Sequence, residues 1–207
     1  MEISAYTVPP LGTNCYFLSD GAHLGIIDPG GAAEALIQEI EKTALTPVGI
    51  YLTHGHFDHA GAAGAIKAHF GIPIFIHKED AAMLLDAESS HASRFGFPYA
   101  GCNADKTFEE GDTLSMGALS LSVLHTPGHT KGSSVFRCEN VLFSGDTLFQ
   151  GSIGNFQPED TPDMQASLAR LFALSEDLHV YSGHGDKTDI GTEKRTNPFV
   201  NFNRELN

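Results

Sequence analysis

Residues 53–61 read Thr53-His54-Gly55-His56-Phe57-Asp58-His59-Ala60-Gly61, and this stretch decides the fold. Three histidines and an aspartate fall between positions 54 and 59. A polar surface loop has no reason to concentrate them, whereas neutral imidazole and carboxylate are the donors that a borderline divalent cation takes. In an extended or tightly turned segment, residues two apart point the same way. His54 and His56 can then clasp one ion while Asp58 and His59 face a neighbouring one. A nitrogen and oxygen donor set without thiolate favours zinc, iron(II) or manganese(II) over soft ions.

Upstream, the pattern predicts strands over 2–8, 15–19 and 24–27, the last ending in the turn Asp28-Pro29-Gly30-Gly31. Ala33, Leu36, Ile37, Ile40 and Ala44 recur at helical spacing and predict a helix over 32–44. The apolar run 48–52 reads as a buried strand that delivers the histidine cluster at its C-terminal end. Downstream, helix 60–69, strand 72–76 and helix 78–85 continue an alternation that implies helices packed on a sheet. Residues 86–106 have no periodicity and read as a long loop of the kind that covers a site. Strands over 113–115, 119–124, 134–137 and 141–143, a helix over 162–174 and a strand over 179–181 complete the pattern. No linker or repeat interrupts it, so one domain over 1–207 is expected.

Composition narrows the function. With 207 residues and 41% hydrophobic content, the chain has enough apolar surface for one large core. A formal charge of −14 repels polyanions, so neither nucleic acid nor an anionic membrane is expected as a partner. No run reaches the roughly 18 apolar residues of a membrane span, and the N-terminus lacks the positive charge of a signal peptide, so a cytoplasmic location is expected. Cys15, Cys102 and Cys138 are odd in number and far apart, which predicts free thiols rather than a disulfide framework or a metal knuckle.

Three later places share the form of a strand ending in a polar residue flanked by glycine. They are His125-Thr126-Pro127-Gly128-His129-Thr130, Phe143-Ser144-Gly145-Asp146-Thr147 and Tyr181-Ser182-Gly183-His184-Gly185. His129, Asp146 and His184 are therefore candidate donors.

Taken with the first cluster, these positions resemble the metallo-β-lactamase-fold hydrolases, whose pattern is H-x-H-x-D-H followed by a distant histidine, aspartate and histidine. The resemblance runs over nearly the whole chain and implies a four-layer αββα sandwich of mixed α/β class, with the site at one edge between two sheets. It implies two divalent ions, zinc with iron or manganese as substitutes. His54, His56 and His129 would hold one ion and Asp58, His59 and His184 the other, with Asp146 bridging. It also makes Asp58 the catalytic position and Asp28 a partner that orients a ligand histidine.

Residues 143–154 and 184–199 most resemble the compact relatives of glyoxalase II, the hydroxyacylglutathione hydrolases. This implies hydrolysis of a small hydroxyacyl thioester of the S-lactoylglutathione type by a metal-bridging hydroxide. Asp146 stands where β-lactamases of the superfamily usually carry cysteine or serine, which points away from antibiotic hydrolysis. The chain departs from the compact relatives at 155–159, where Asn155-Phe156-Gln157-Pro158-Glu159 replaces an expected arginine and acid-glycine run. A persulfide dioxygenase with one iron, or a lactonase, would use the same scaffold.

The expected partner is a small acyl or thioester substrate, with monomer and homodimer both open. Lys131 is a candidate for a substrate carboxylate and Asn155 for a further contact. Phe95 and Phe97, with Tyr99, form either an aromatic wall over the substrate or a small core that holds the loop down. His91 is the one further histidine to watch, because it lies in that loop.

Overall fold

The computed structural model describes residues 1–201, and the statements below concern those residues. One six-stranded sheet contains β1 (Glu2–Val8), β2 (Thr13–Ser19), β3 (His23–Ile27), β4 (Thr46–Tyr51), β5 (Ile74–His77) and β6 (Lys106–Phe108), in that spatial order. Pairing is antiparallel across β1, β2 and β3, then parallel from β3 to β6. A second six-stranded sheet is ordered β12 (Thr188–Asp189), β11 (His179–Ser182), β10 (Val141–Gly145), β9 (Ser134–Cys138), β8 (Leu119–His125) and β7 (Thr113–Met116). Helices α1 (Ala33–Thr43), α2 (Phe57–Ala60), α3 (Ala63–Phe70), α4 (Thr161–Phe172) and α5 (Ile190–Thr196) complete the fold.

The two-residue alternation of strand side chains makes the layers. On β2, Cys15 and Phe17 join Leu36 and Ile40 of α1 and Ile66 of α3, while Tyr16 and Leu18 join Phe136 and Phe143 of the opposite sheet. On β10, Val141 and Phe143 enter that same inter-sheet core, and Leu142 turns outward onto Met164, Leu168 and Leu171 of α4. Helix, sheet, sheet and helix follow one another, so the fold is the expected αββα sandwich.

The strands also set the site. Strands β3 and β4 run parallel, as do β10 and β11, and open sheets of this kind place ligands at the carboxyl ends of their strands. The two sheets are tied together at that edge. Asn14 N–H donates to Gly183 O at 2.7 Å, Tyr16 Oη to Ser182 O at 2.6 Å and Ser134 N–H to Thr53 O at 2.9 Å.

Several expectations are corrected. The predicted helix over 78–85 is a single 3-10 turn at Ala81–Leu85, because the carboxylate of Asp80 is tied to two other loops and the chain leaves the turn in an extended conformation at Asp86. The predicted helix over 60–69 is α3, which starts only at Ala63; α2 ends at Ala60, and between the two Ala62 N–H donates to Pro29 O at 2.9 Å. Strands β6 and β12 and helix α5 were not expected from the pattern. No helix among the described residues is long and apolar enough to cross a membrane.

Candidate metal centre

The Thr53–Gly61 stretch leaves β4, carries His54 and His56 in its loop, and winds into α2 with Asp58 and His59 in that single turn. His129 follows β8, Asp146 follows β10 and His184 follows β11. The structure brings all seven together. His54, His56 and His129 offer donor atoms within 4.8 Å of one another, and so do Asp58, His59 and His184. A third such group takes Asp146 with His54 from the first set and His59 from the second. Asp146 Oδ2 lies 3.5 Å from His129 Nε2 and 3.5 Å from His184 Nε2, and its Oδ1 lies 3.2 Å from His59 Nε2.

Two pairs of donor nitrogens converge at the centre of the site, and two further donor atoms there are left without a hydrogen-bond partner among the described residues. His56 Nδ1 and His129 Nε2 face across 2.9 Å, and His59 Nε2 and His184 Nε2 across 3.4 Å. His54 Nε2 and Asp146 Oδ1 are buried and make no hydrogen bond among the described residues. An unpaired buried polar atom costs about 1–3 kcal/mol, so a ring of inward lone pairs fits bound divalent ions.

The other ring nitrogens are held from outside. His59 Nδ1 lies 3.0 Å from Asp28 Oδ2, and Asp28 also accepts Thr53 N–H at 2.8 Å and the Thr53 hydroxyl at 2.6 Å. Asp28, buried with φ of 50°, thus links the end of β3 to β4 and to His59 instead of capping its own Asp-Pro-Gly-Gly turn. His129 Nδ1 lies 2.5 Å from the backbone carbonyl of Asn155. Gly183 is required beside His184, because a Cβ there would stand 2.2 Å from Asp146 Oδ1 and 2.7 Å from His59 Cε1.

Two supporting residues left no signal in the sequence. Asp80 is fully buried and receives Gly55 N–H, Gly132 N–H and the Thr130 hydroxyl at 3.0, 2.7 and 2.6 Å, so it braces the His54–His56 loop against the His129 loop. Thr13 is also buried, and its hydroxyl donates to Asp58 Oδ2 at 2.9 Å. A lone aspartate before a helix-like run and a lone threonine opening a strand are too common to single out.

Burial pushes His54 well below the ordinary imidazole range, reinforced by the neighbouring His59 and His56 rings. Burial and His129 drive His56 down to about 3. For His59, burial is outweighed by Asp146 and Asp28, which hold its pKa well above the usual range. Asp146 in turn is held far down, since burial is outweighed by His59 and His184. His54 and His56 are thus neutral imidazoles beside an ionised Asp146. For His184, burial is outweighed by Asp146 and Asp58, which raise its pKa to about 9. His59 and His184 must therefore give up a proton for a divalent cation to bind.

The comparisons fit this geometry. Residues 8–184 match the Metallo-beta-lactamase superfamily, a span well over half of the chain. The chain belongs to this superfamily. A relative from Haemophilus influenzae, named hydroxyacylglutathione hydrolase GloC, is 40% identical over 209 residues, spanning 97% of this chain and 99% of its own. A solved structure of BLEG-1, described as a B3 metallo-beta-lactamase, superposes with a TM-score of 0.91 at 40% identity and covers 96% of this chain and 99% of its own. That of TTHA1623, in a di-iron-bound form, superposes with a TM-score of 0.83 at 35% identity, covering 95% and 99%.

In this metallo-beta-lactamase superfamily member the donors open onto a cleft of about 780 Å³, with His56, Asp58, His129, Asp146 and His184 in its wall. Phe95 is 54% exposed and lines the cleft, whereas Phe97 is absent from the lining and packs on Phe57 with ring centroids 5.1 Å apart. Phe95 packs on Phe57 as well, with ring centroids 5.4 Å apart. His91 also lines the cleft and stacks on His56 at 4.4 Å. Asn155 lines it too, with its backbone carbonyl on His129.

Lys131 lies in the wall as well, but its ammonium stands 2.5 Å from Asp160 Oδ1 and 3.5 Å from Asp163 Oδ2. Lys131, expected to meet a substrate carboxylate, is here paired with two carboxylates from α4 and the turn before it.

Proposed function

We propose that the chain hydrolyses small hydroxyacyl thioesters, with S-lactoylglutathione as the type substrate, at a centre of two divalent cations. The observation that carries this reading is the pair of three-donor groups with Asp146 between them, opening on a cleft. The 40% identity to a protein named hydroxyacylglutathione hydrolase supports the thioester half. His54, His56 and His129 would hold one ion, Asp58, His59 and His184 the other, and Asp146 would be shared. Zinc suits these donors, and the di-iron form of a 35% identical neighbour supports iron as a substitute. Divalent cations bound there supply a water of pKa about 7 and a Lewis acid for the acyl oxygen.

The chain's own residues do the positioning. Asp58 faces the cleft with Oδ2 fixed by Thr13, and its carboxylate stays ionised down to about pH 2, because the hydrogen bond from His184 and the charge of His59 outweigh burial. It is the group set to accept the proton of the attacking water. Asp28 and the Asn155 carbonyl keep His59 and His129 turned inward. Leu11, Phe149, Ile153 and Phe156 give the cleft an apolar side that strips water from the acyl group. In the net reaction the C–O bond to water forms, the C–S bond breaks, and the proton lost by the water protonates the departing thiolate.

A chain of −14 net charge suits a small molecule better than nucleic acid as partner. Free Cys15, Cys102 and Cys138 suit a reducing compartment such as the cytoplasm.

One observation favours a second reading. BLEG-1, described as a B3 metallo-beta-lactamase, is as similar in sequence as the named thioester hydrolase, which makes a β-lactam the alternative acyl substrate. The test is a panel with the metal-loaded protein: thiol release from S-lactoylglutathione, opening of a β-lactam and of a simple lactone, and oxygen consumption with glutathione persulfide. Thiol release well above the other three rates is expected. An intact thioester beside an opened β-lactam or lactone changes the substrate class, and oxygen uptake changes the reaction.

A further inference from the structure

A chain of −14 net charge, whose cleft also carries Glu79 and Asp160, disfavours an anionic group away from the metal donors unless a free cation lines that part of the route. Among the described residues, the cleft has one lysine, Lys131, and one arginine, Arg94. Lys131 is neutralised by Asp160 and Asp163. The guanidinium of Arg94 has no ion pair or hydrogen bond among the described residues.

Arg94 is not on a loose loop. It lies in the 3-10 turn Ser93–Phe95, which is closed by Gly96 N–H donating to Ser93 O at 3.1 Å, with Gly96 left-handed at φ 62°. Phe97 N–H donates to Ala92 O at 2.9 Å, and Ala92 is buried. Phe95 and Phe97 grip Phe57 of α2 with centroids 5.4 and 5.1 Å away. Phe57 N–H donates to Ser90 O at 2.9 Å, and His91 stacks on His56. The turn that presents Arg94 is therefore fastened directly to the segment carrying His56, Asp58 and His59.

Resting on the thioester reading, we propose that Arg94 selects substrates whose thiol half carries a carboxylate, taking that carboxylate at the rim of the cleft while the acyl end lies over the metal donors. A guanidinium offers a planar fork that matches a carboxylate with two parallel hydrogen bonds, a geometry lysine cannot reproduce. The exposed Phe95 beside it and Leu11, 44% exposed and also in the lining, flank the route with apolar surface for the uncharged part of the thiol.

The experiment separates binding from catalysis. S-hexylglutathione, an inert thioether with free carboxylates, is titrated calorimetrically into the metal-loaded wild type, Arg94→Ala and Arg94→Lys. Wild type is expected to bind, Arg94→Ala to bind about 10-fold more weakly or worse, and Arg94→Lys to fall between them, as for loss of one charge-assisted contact. In parallel, S-lactoylglutathione is compared with the uncharged S-lactoyl-N-acetylcysteamine. The preference for the charged thioester in kcat/KM is expected to drop about 10-fold in Arg94→Ala, through KM rather than kcat. Equal affinity of wild type and Arg94→Ala, no wild-type binding, or an equal loss on both thioesters overturns the assignment. If neither thioester is cleaved yet S-hexylglutathione binding still depends on Arg94, the hydrolase reading fails and the Arg94 anion site stands.

Discussion

The hydroxyl of Thr130, in the cleft wall next to the proposed ligand His129, donates to Oδ2 of the buried Asp80 at 2.6 Å. The same oxygen takes Gly55 N–H, between His54 and His56. One carboxylate therefore sets the spacing of three of the seven donors. Asp80→Ala leaves the Gly55 and Gly132 amides without this partner, and a buried unpaired amide costs about 1–3 kcal/mol. Denaturant unfolding of the metal-free protein should show a loss of roughly 2–4 kcal/mol, and metal content of the loaded protein should fall toward one ion. Unchanged stability with full metal content would remove Asp80 from this role.

Asp28 acts on a single ligand, through the 3.0 Å contact to His59 Nδ1. Partners of this kind typically contribute about 10–100-fold to metal affinity or activity. Asp28→Ala should weaken the metal by that factor in competition with a chromophoric chelator, without removing any donor. An affinity within twofold of wild type would show that His59 does not need orienting.

Asp146 is the proposed shared carboxylate, with equal 3.5 Å distances from His129 and His184. Asp146→Ala should reduce thioester turnover by about 10²-fold or more and lower metal occupancy, in the range of a lost electrostatic contact to the reacting centre. Near-normal turnover with full occupancy would place it outside the site.

Away from the metal donors, His77 is buried and stacks on His125 with centroids 4.0 Å apart. Burial first, and then the His125 ring, lower its pKa from 6.5 to about 4. The unfolded chain therefore binds more protons than the folded one between those values. The stability this group contributes is present above about pH 6.5 and lost as pH falls toward about 4. A full proton difference gives a slope near 1.4 kcal/mol per pH unit, so a His77→Phe variant should show a flatter decline by about 1 kcal/mol per unit. Chemical unfolding of both proteins at pH 7 and pH 5 reads this, and parallel declines would contradict it.

Much of the layer plan was legible because apolar periodicity records burial. The alternation at Tyr16, Phe17 and Leu18 and the helical spacing of Leu36, Ile37 and Ile40 mark faces that the fold buries or packs against its core. The seven donors were legible because their density and glycine settings are rare, and they lie together in the fold. Local pattern carries no trace of what a distant element supplies. Lys131 is occupied by Asp160 and Asp163. His129 is oriented by a backbone carbonyl, which any residue at position 155 would offer. Helix α5 is fixed by Asp189, which accepts Thr192 N–H at 2.7 Å, and not by an apolar stripe. An arginine in a loop, as Arg94 is, gains meaning only when its neighbours leave it unpaired.

The central claim is that two three-donor groups share Asp146 and hold two divalent ions. Elemental analysis of the protein after saturation with zinc and removal of free metal tests this most directly. The account predicts close to two ions per chain, with the Asp146→Ala variant below that value; one ion per chain, unchanged by further metal, would contradict it.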